Sequence, residues 1–129
     1  MCAVFLFMRI LVVDDERDVG LTLKIILDKY GFFVDSFTDP ETALRKFKPD
    51  WYDLIILDIK MPNINGFELY NRFKSKDPKI NTLFLTALSN VEPYNTQDSK
   101  VYPKKGERHF LKKPISNNEL LEQVHMLTN

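Results

Sequence analysis

The stretch DLIILDIKMP, residues 53–62, joins an uninterrupted apolar run to a single acidic residue. Four consecutive apolar residues, Leu54 to Leu57, bounded by polar ones are typical of a strand that is buried on both faces of a parallel sheet. This run ends directly on Asp58. We therefore expect a carboxylate that is held rigidly at the carboxyl edge of a parallel sheet.

The whole chain has 129 residues, enough for one domain with one sizeable core. Its 18 basic and 18 acidic residues give a formal net charge of zero, so we expect no general attraction to nucleic acid or to a membrane surface. The single cysteine, Cys2, excludes an intramolecular disulfide, and no Cys/His cluster suggests zinc. These features favour a cytoplasmic protein in which any metal is held by oxygen.

The apolar start, MCAVFLFMRILVV, is too short for a membrane span and is interrupted by Arg9. It also lacks the basic beginning and the small-residue cleavage site of a secretory signal. We interpret residues 1–7 as an apolar extension of the first strand, and residues 8–129 as the domain itself.

Short apolar runs alternate with segments of helical period along the rest of the chain. This alternation is typical of βαβ units around a parallel sheet, and it predicts five strands and four clear helices. Pro93 and Pro103 bracket a polar stretch between the last two strands, so we expect a short or irregular fourth helix there and then a longer loop. The predicted strands are 10–13, 32–37, 54–57, 82–85 and 109–111.

Polar residues follow four of these strands, at the edge where open parallel sheets bind their ligands. Three acids, a hydroxyl and an ammonium group should converge there. They are Asp14, Asp15, Asp58, Thr86 and Lys113.

Three neighbouring carboxylates repel one another, so they are stable only with a cation or with shared protons. A site built only from oxygen atoms favours Mg²⁺. A carboxylate beside Mg²⁺ can attack phosphorus and form an aspartyl phosphate, while the metal and an ammonium group neutralise the phosphoryl oxygens. Lys113 suits the ammonium role, and Thr86 can donate a hydrogen bond to a phosphoryl oxygen.

Four segments in order, LVVDDE, LIILDIKMPNINGFEL, LFLTA and FLKKP, together resemble the receiver domain of two-component response regulators. The resemblance covers essentially all of residues 8–129. It implies a doubly wound α/β fold, with a five-stranded parallel sheet of the flavodoxin-like order 2-1-3-4-5. It also implies a phosphorelay switch that assists its own phosphorylation and dephosphorylation but turns over no separate metabolite, so the protein is not expected to be an enzyme in the usual sense.

The same resemblance implies a role for each matching position. Asp58 corresponds to the phosphoacceptor, Lys113 to the lysine of the site, and Thr86 with Phe110 to the residues that switch. The bond between Lys113 and Pro114 corresponds to one that is usually cis. The implied Mg²⁺ ligands are Asp15, Asp58 and the backbone carbonyl of Lys60, with Asp14 binding through water.

The implied partner is a histidine kinase or a phosphotransfer protein, and the output surface would combine the fourth helix, the fifth strand and the last helix. The residues two beyond the phosphoacceptor and two beyond the switch threonine, Lys60 and Leu88, imply slow self-dephosphorylation, because neither readily positions an attacking water. The downstream protein target is unknown.

Three other functions are compatible with parts of this pattern. A phosphatase or phosphotransferase of the haloacid-dehalogenase type normally needs a second aspartate two positions after the first, and Lys60 stands there. A flavin-binding module would need a neutral phosphate loop after the first strand, where Asp14, Asp15 and Glu16 would repel a phosphate. A degenerate receiver that serves only as an interaction module is the third, although every matching phosphorylation residue is present.

Overall fold

The computed structural model describes residues 8–87 and 109–128. Within them, five strands form one parallel sheet and helices pack on both of its faces. No helix in this part of the chain combines the length and the apolar character needed to cross a membrane. The strands are β1 (Arg9–Val13), β2 (Phe33–Phe37), β3 (Leu54–Asp58), β4 (Asn81–Thr86) and β5 (Phe110–Lys112), and the helices are α1 (Arg17–Lys29), α2 (Pro40–Lys46), α3 (Gly66–Lys76) and α4 (Asn117–Thr128).

The strand order is β2-β1-β3-β4-β5, which confirms the predicted order 2-1-3-4-5. Strand β1 lies between β2 and β3, and Val13 is the register partner of both Phe37 and Leu57. Because β1 and β3 run parallel in this register, the residues that follow Val13 and Leu57 leave the sheet side by side.

Strand β3 is the centre of the core, since all five of its residues are buried. Its side chains alternate between two apolar clusters, one on each face of the sheet. Ile55 and Leu57 join the cluster that includes residues of α2 and α3, whereas Leu54 and Ile56 join the cluster that includes residues of α1 and α4. Burial on both faces explains why this strand is a continuous apolar run.

The helix ends follow the capping signals of the sequence. Asp39 is the N-cap of α2, and its side chain accepts a hydrogen bond from the Thr42 amide. Gly31, which follows α1, has a φ of 89°, a left-handed conformation that glycine adopts at little cost. Before α4, Ser116 Oγ accepts from the Glu119 amide at 3.1 Å, one half of the expected capping box.

Several strand ends differ from the prediction by one residue. Strands β3 and β4 include Asp58 and Thr86, which were expected to follow them, because both residues still have register partners in the sheet. Strand β5 begins at Phe110 and not at His109. The bond between Lys113 and Pro114 is cis, as the resemblance implied. The expected irregular helix within 88–108 and the extension at 1–7 lie outside the described residues.

Candidate functional site

Two buried carboxylates meet at the carboxyl edge of the sheet. Asp14 directly follows β1 and Asp58 ends β3, with exposed fractions of only 1% and 4%. The backbone holds both positions, because the Asp14 amide donates to the Phe37 carbonyl at 3.1 Å and the Ile59 amide to the Leu85 carbonyl at 3.0 Å. The central apolar strand therefore fixes Asp58 where the sequence predicted it, next to an acid from the neighbouring strand.

Lys113 brings an ammonium group into the same place. Its Nζ lies 3.1 Å from Asp14 Oδ2, 3.0 Å from Glu16 Oε1 and 3.5 Å from Asp58 Oδ1. The Lys113 amide donates to the Thr86 carbonyl at 2.7 Å, which anchors the chain just beyond β5. The Lys113 ammonium therefore contacts three carboxylates, two at strand ends and one at the start of α1.

The pKa values show how this charge is balanced. Burial, followed by the Asp14 carboxylate, raises the pKa of Asp58 to about 7, although Lys113 opposes this rise. Burial also raises the pKa of Asp14, against the hydrogen bond from the Glu16 amide. Burial lowers the pKa of Lys113, but its hydrogen bonds to Glu16 and Asp14 outweigh that effect and raise it to about 12. The site thus keeps Lys113 charged and carries more negative charge than Lys113 neutralises.

A second cation would correct this surplus. Oxygen atoms of Asp14, Glu16 and Asp58 all lie within 4.8 Å of one another, a spacing at which one metal ion can be shared. Carboxylate oxygens suit a hard ion such as Mg²⁺. The donor set therefore fits the metal that the sequence predicted.

The acids that form this group are not quite those predicted. Asp14 and Asp58 belong to it, and its third member is Glu16 and not Asp15, although both of these side chains are exposed. Asp15 is nevertheless close enough to Asp58 for its hydrogen bond and its charge to raise the pKa of Asp58. The direct ligand role of Asp15 and that of the Lys60 carbonyl stay predictions.

Glu16 was not predicted as a site residue. In the sequence it served only as one of three acids that would repel a phosphate. The available signal was its position, since Glu16 is the N-cap of α1 and follows the carboxyl end of β1. It offers no side-chain hydrogen bond to that helix end. Its carboxylate instead contacts the ammonium group of Lys113.

Thr86 and Phe110 lie on the neighbouring strands β4 and β5. Thr86 is buried and ends β4, while Phe110 is half-buried at the start of β5. Phe110 packs against Phe84 with ring centres 5.6 Å apart and against Phe67 at 6.4 Å. Because Phe84 and Thr86 are two residues apart in one strand, both point to the face where Phe110 packs. The structure thus places the two expected switch residues on one face of the sheet.

Gly66 connects the site to α3 and was also missed. Its amide donates to the Ile59 carbonyl at 2.7 Å, so the helix begins in backbone contact with the residue after Asp58. A Cβ at Gly66 would stand 2.8 Å from Ile59 Cα and closer still to the Asp58 carbonyl oxygen. Only glycine permits this approach.

Comparison with known proteins agrees with this geometry. The profile of the response regulator receiver domain matches residues 10–125. The transcriptional regulatory protein QseB of Haemophilus influenzae is 32% identical over 121 residues, which are 93% of this chain and 52% of QseB. The chain thus spans about half the length of the curated relatives it matches.

Solved structures show the same fold. The response regulator TrrA from Thermotoga maritima, in complex with Mg²⁺ and BeF, is 35% identical with a TM-score of 0.75, and the match covers 94% of this chain and 99% of TrrA. TrrA in complex with the histidine kinase ThkA matches at 33% identity with a TM-score of 0.77, covering 95% of this chain and 100% of the matched one. With its sequence profile, its strand order and its cluster of acids at one sheet edge, this chain belongs to the family of response regulator receiver domains.

Proposed function

We propose that this receiver domain is a phosphorylation-dependent switch in which Asp58 accepts a phosphoryl group with the help of Mg²⁺. The observation that carries the proposal is the contact of a buried carboxylate, Asp58, with the Lys113 ammonium at 3.5 Å, beside the second buried acid Asp14. Membership of the receiver family supports a role for Asp58 as phosphoryl acceptor.

In the transfer step, an Asp58 oxygen attacks phosphorus while the bond from phosphorus to the leaving group breaks, and the leaving group keeps the electron pair. Lys113 neutralises a phosphoryl oxygen, and the Thr86 hydroxyl can donate a hydrogen bond to another. Mg²⁺, when bound, supplies the further positive charge that a transferring phosphoryl group requires. The residues that would hold it are Asp14, Asp15, Asp58 and the Lys60 carbonyl, with Glu16 beside them.

The donor is proposed to be a histidine kinase or a phosphotransfer protein, which the complex of TrrA with ThkA supports. An apolar groove of about 290 Å³ opens next to Lys113, between α1 and the loop before α4. A phosphohistidine carried by a partner in this groove would be close to Asp58. Its lining includes Val19, Thr22, Leu23, Ile26 and Ile115.

Phosphotransfer from a panel of purified, phosphorylated histidine kinases tests the donor. Thr22 is exposed, so Thr22→Glu should leave the fold intact while lowering transfer from the active kinase, with acetyl phosphate loading unchanged. Leu21→Glu, on an exposed neighbour that does not line this groove, is the control. Equal transfer to both variants and to wild type would exclude the groove as the docking surface.

Phosphorylation should shift an existing equilibrium by drawing Thr86 towards the phosphoryl group and making room for Phe110 to rotate inwards. The half-buried position of Phe110 beside the face of Thr86 supports this coupling. Amide NMR shifts around Phe110 on addition of Mg²⁺ and BeF₃⁻ should occur in wild type and be lost in Thr86→Ala. Shifts of the same size in Thr86→Ala would show that the threonine does not transmit the signal.

The lifetime of the phosphoryl group is proposed to be long. Lys60, two residues after Asp58, has an exposed side chain whose ammonium group does not readily position an attacking water. Leu88, the other residue expected to control decay, lies outside the described residues. Fast decay that is unchanged in Lys60→Asn would contradict this expectation.

Loading with acetyl phosphate, followed by intact mass, tests the central proposal. Wild type should gain the mass of one phosphoryl group only when Mg²⁺ is present, Asp58→Ala should gain none, and Asp18→Ala, which changes an exposed acid of α1, should behave as wild type. Equal loading of wild type and Asp58→Ala would overturn the assignment. No loading of wild type would favour the interaction-only receiver.

A further inference from the structure

An exposed aromatic and basic surface lies at the amino ends of the strands, opposite Asp58. Phe33 and Trp51 expose 51% and 40% of their surfaces. Arg9 lies between them, as the register partner of Phe33, and its guanidinium carbon is 3.9 Å from the centre of the Trp51 ring. Lys48 Nζ approaches the same ring at 5.3 Å. We call these four residues the amino-edge patch.

The chemistry at the carboxyl edge does not require exposed aromatic side chains at the amino ends of the strands. Exposed apolar surface is common in single residues, but two large aromatic side chains joined through a stacked arginine form a continuous surface. Burying an aromatic side chain is worth far more than burying a small one, so an available apolar segment would be stabilised there.

We propose that residues 1–7 of the same chain, MCAVFLF, cover the amino-edge patch. These residues carry no charged side chain and include two phenylalanines. The chain enters β1 beside the patch, because the Met8 carbonyl accepts from the Phe33 amide at 2.9 Å and the Asp53 amide donates to the Arg9 carbonyl at 2.8 Å. Seven residues reach up to about 23 Å when extended, which is ample to cross the patch.

Alternation along β1 indicates which of these side chains make the contact. Leu11 and Val13 belong to the cluster that Phe37 of β2 packs against, whereas Met8 and Ile10 belong to the cluster on the other face. Arg9 and Phe33 therefore share a face with Leu11. Under this proposal the alternation continues upstream, so that Phe7 and Phe5 would contact the patch and Leu6 and Val4 would face the opposite side.

The fluorescence of Trp51 tests this contact, because it is the only tryptophan in the chain. Four proteins are compared: the full chain, the chain beginning at Met8, and the double variants F5S/F7S and V4S/L6S. Removal of residues 1–7 and the F5S/F7S change should both shift the Trp51 emission to longer wavelength and raise its acrylamide quenching roughly twofold, since an aromatic cover is lost. V4S/L6S should leave emission and quenching close to those of the full chain.

Acetyl phosphate loading of Asp58 and the far-ultraviolet circular dichroism should stay unchanged in all four proteins, because the patch is at the other end of the sheet. Should the shortened chain lose its fold, the two double variants still decide the question, since they keep the full length. Identical quenching in F5S/F7S and the full chain would overturn the proposal. So would an equal effect of V4S/L6S, or quenching that depends on protein concentration, which would identify a second copy of the chain as the occupant.

Discussion

Lys113 neutralises only part of the charge that three carboxylates gather around it. Asp14, Glu16 and Asp58 all lie within 3.5 Å of its ammonium group, and two of them are buried. A buried carboxylate without full compensation prefers its protonated form, which is why the pKa of Asp58 is raised to about 7. The site is therefore built to need another cation whenever Asp58 is ionised.

The raised pKa of Asp58 predicts a pH-dependent loss of stability without metal. A carboxyl group whose pKa is higher in the folded state, here about 7 against 3.8, contributes stability below pH 3.8 that is lost as the pH rises through 7. Asp58→Asn removes this ionisation. In EDTA at pH 8 the variant should be more stable than wild type by about 1–3 kcal/mol. Urea unfolding from pH 4 to pH 8 measures the free energy of unfolding of both proteins. A difference between them that does not change with pH would contradict the prediction.

The affinity for Mg²⁺ should depend differently on Asp15, which the sequence predicts as a ligand, and on Glu16, which the structure adds to the site. Glu16→Gln removes one charge near the shared oxygens and should weaken Mg²⁺ binding about two- to fivefold, the effect of a partly exposed charge. If Asp15 is a direct ligand, Asp15→Asn should cost about tenfold or more, as loss of a ligating carboxylate does. Asp18→Asn, with the same change of charge on exposed α1, is the control. Calorimetric titration gives the three constants, and equal losses for all three variants would indicate only a general charge effect.

The sequence could predict Asp14, Asp58 and Lys113 because each lies at the carboxyl end of a strand or directly after it, so the fold alone brings them together. Glu16 could not be placed in the same way. It begins a helix, and only the conformation of its long side chain decides whether the carboxylate faces solvent or Lys113. Which of two adjacent acids points into a site depends on backbone geometry that residue spacing does not contain.

At the scale of the elements, apolar runs located every strand and helical period located every helix within the described residues. The ends were less predictable, because a strand continues as long as its neighbour supplies hydrogen bonds. Strand β5 shows this, since the bonds from the Phe84 amide to the His109 carbonyl and from the Lys113 amide to the Thr86 carbonyl set its position. No periodicity in the sequence encodes such partners.

Strand β4 contains a buried hydroxyl that has no hydrogen-bond partner among the described residues, and this predicts a stabilising substitution. Thr82 is 4% exposed, and its Oγ1 makes no hydrogen bond to any group within residues 8–87 and 109–128. Valine has nearly the same shape without the unpaired polar atom, so Thr82→Val should raise the free energy of unfolding by about 1 kcal/mol. Thr82→Ser, which keeps the hydroxyl and loses a methyl group, should lower it. Urea unfolding of the two variants decides, and a destabilised Thr82→Val would show that the hydroxyl is satisfied in solution.

At the start of α3, the substitution Gly66→Ala should be destabilising. The Cβ of Gly66→Ala would stand 2.8 Å from Ile59 Cα, and because this obstacle is backbone, α3 or the end of β3 must move. We expect a loss of about 1–3 kcal/mol, in the range for overpacking a buried contact, together with slower acetyl phosphate loading of Asp58. Gly20→Ala is the matched control, since among the described residues its Cβ would meet only the Ser36 side chain, whose hydroxyl can rotate away. Similar losses of stability in the two variants, with loading unchanged in Gly66→Ala, would contradict the argument.

For the molecule as a whole, strand order was the feature that local pattern could not supply. Alternating strands and helices are compatible with several doubly wound orders, and the order 2-1-3-4-5 came from the resemblance of four ordered segments. The consequence for the site is large, because this order makes β1 and β3 neighbours and so joins Asp14 to Asp58. Lys113 joins them from beyond β5, at the far edge of the same sheet.

Because the site draws on β1, β3 and the end of β5, it exists only when the whole sheet is formed, and metal binding should therefore stabilise the entire fold. A ligand that binds only the folded state adds about 2.7 kcal/mol at a concentration of 100 times its dissociation constant. At pH 8 and at that concentration of MgCl₂, the free energy of unfolding of wild type should rise by about this amount relative to NaCl of equal ionic strength. Thermal or urea unfolding measures the rise. Asp58→Ala should gain much less, since it lacks one of the shared carboxylates, while Asp18→Ala should gain as much as wild type. An equal gain in Asp58→Ala would place the metal elsewhere and would remove the link between metal binding and the acids at the sheet edge.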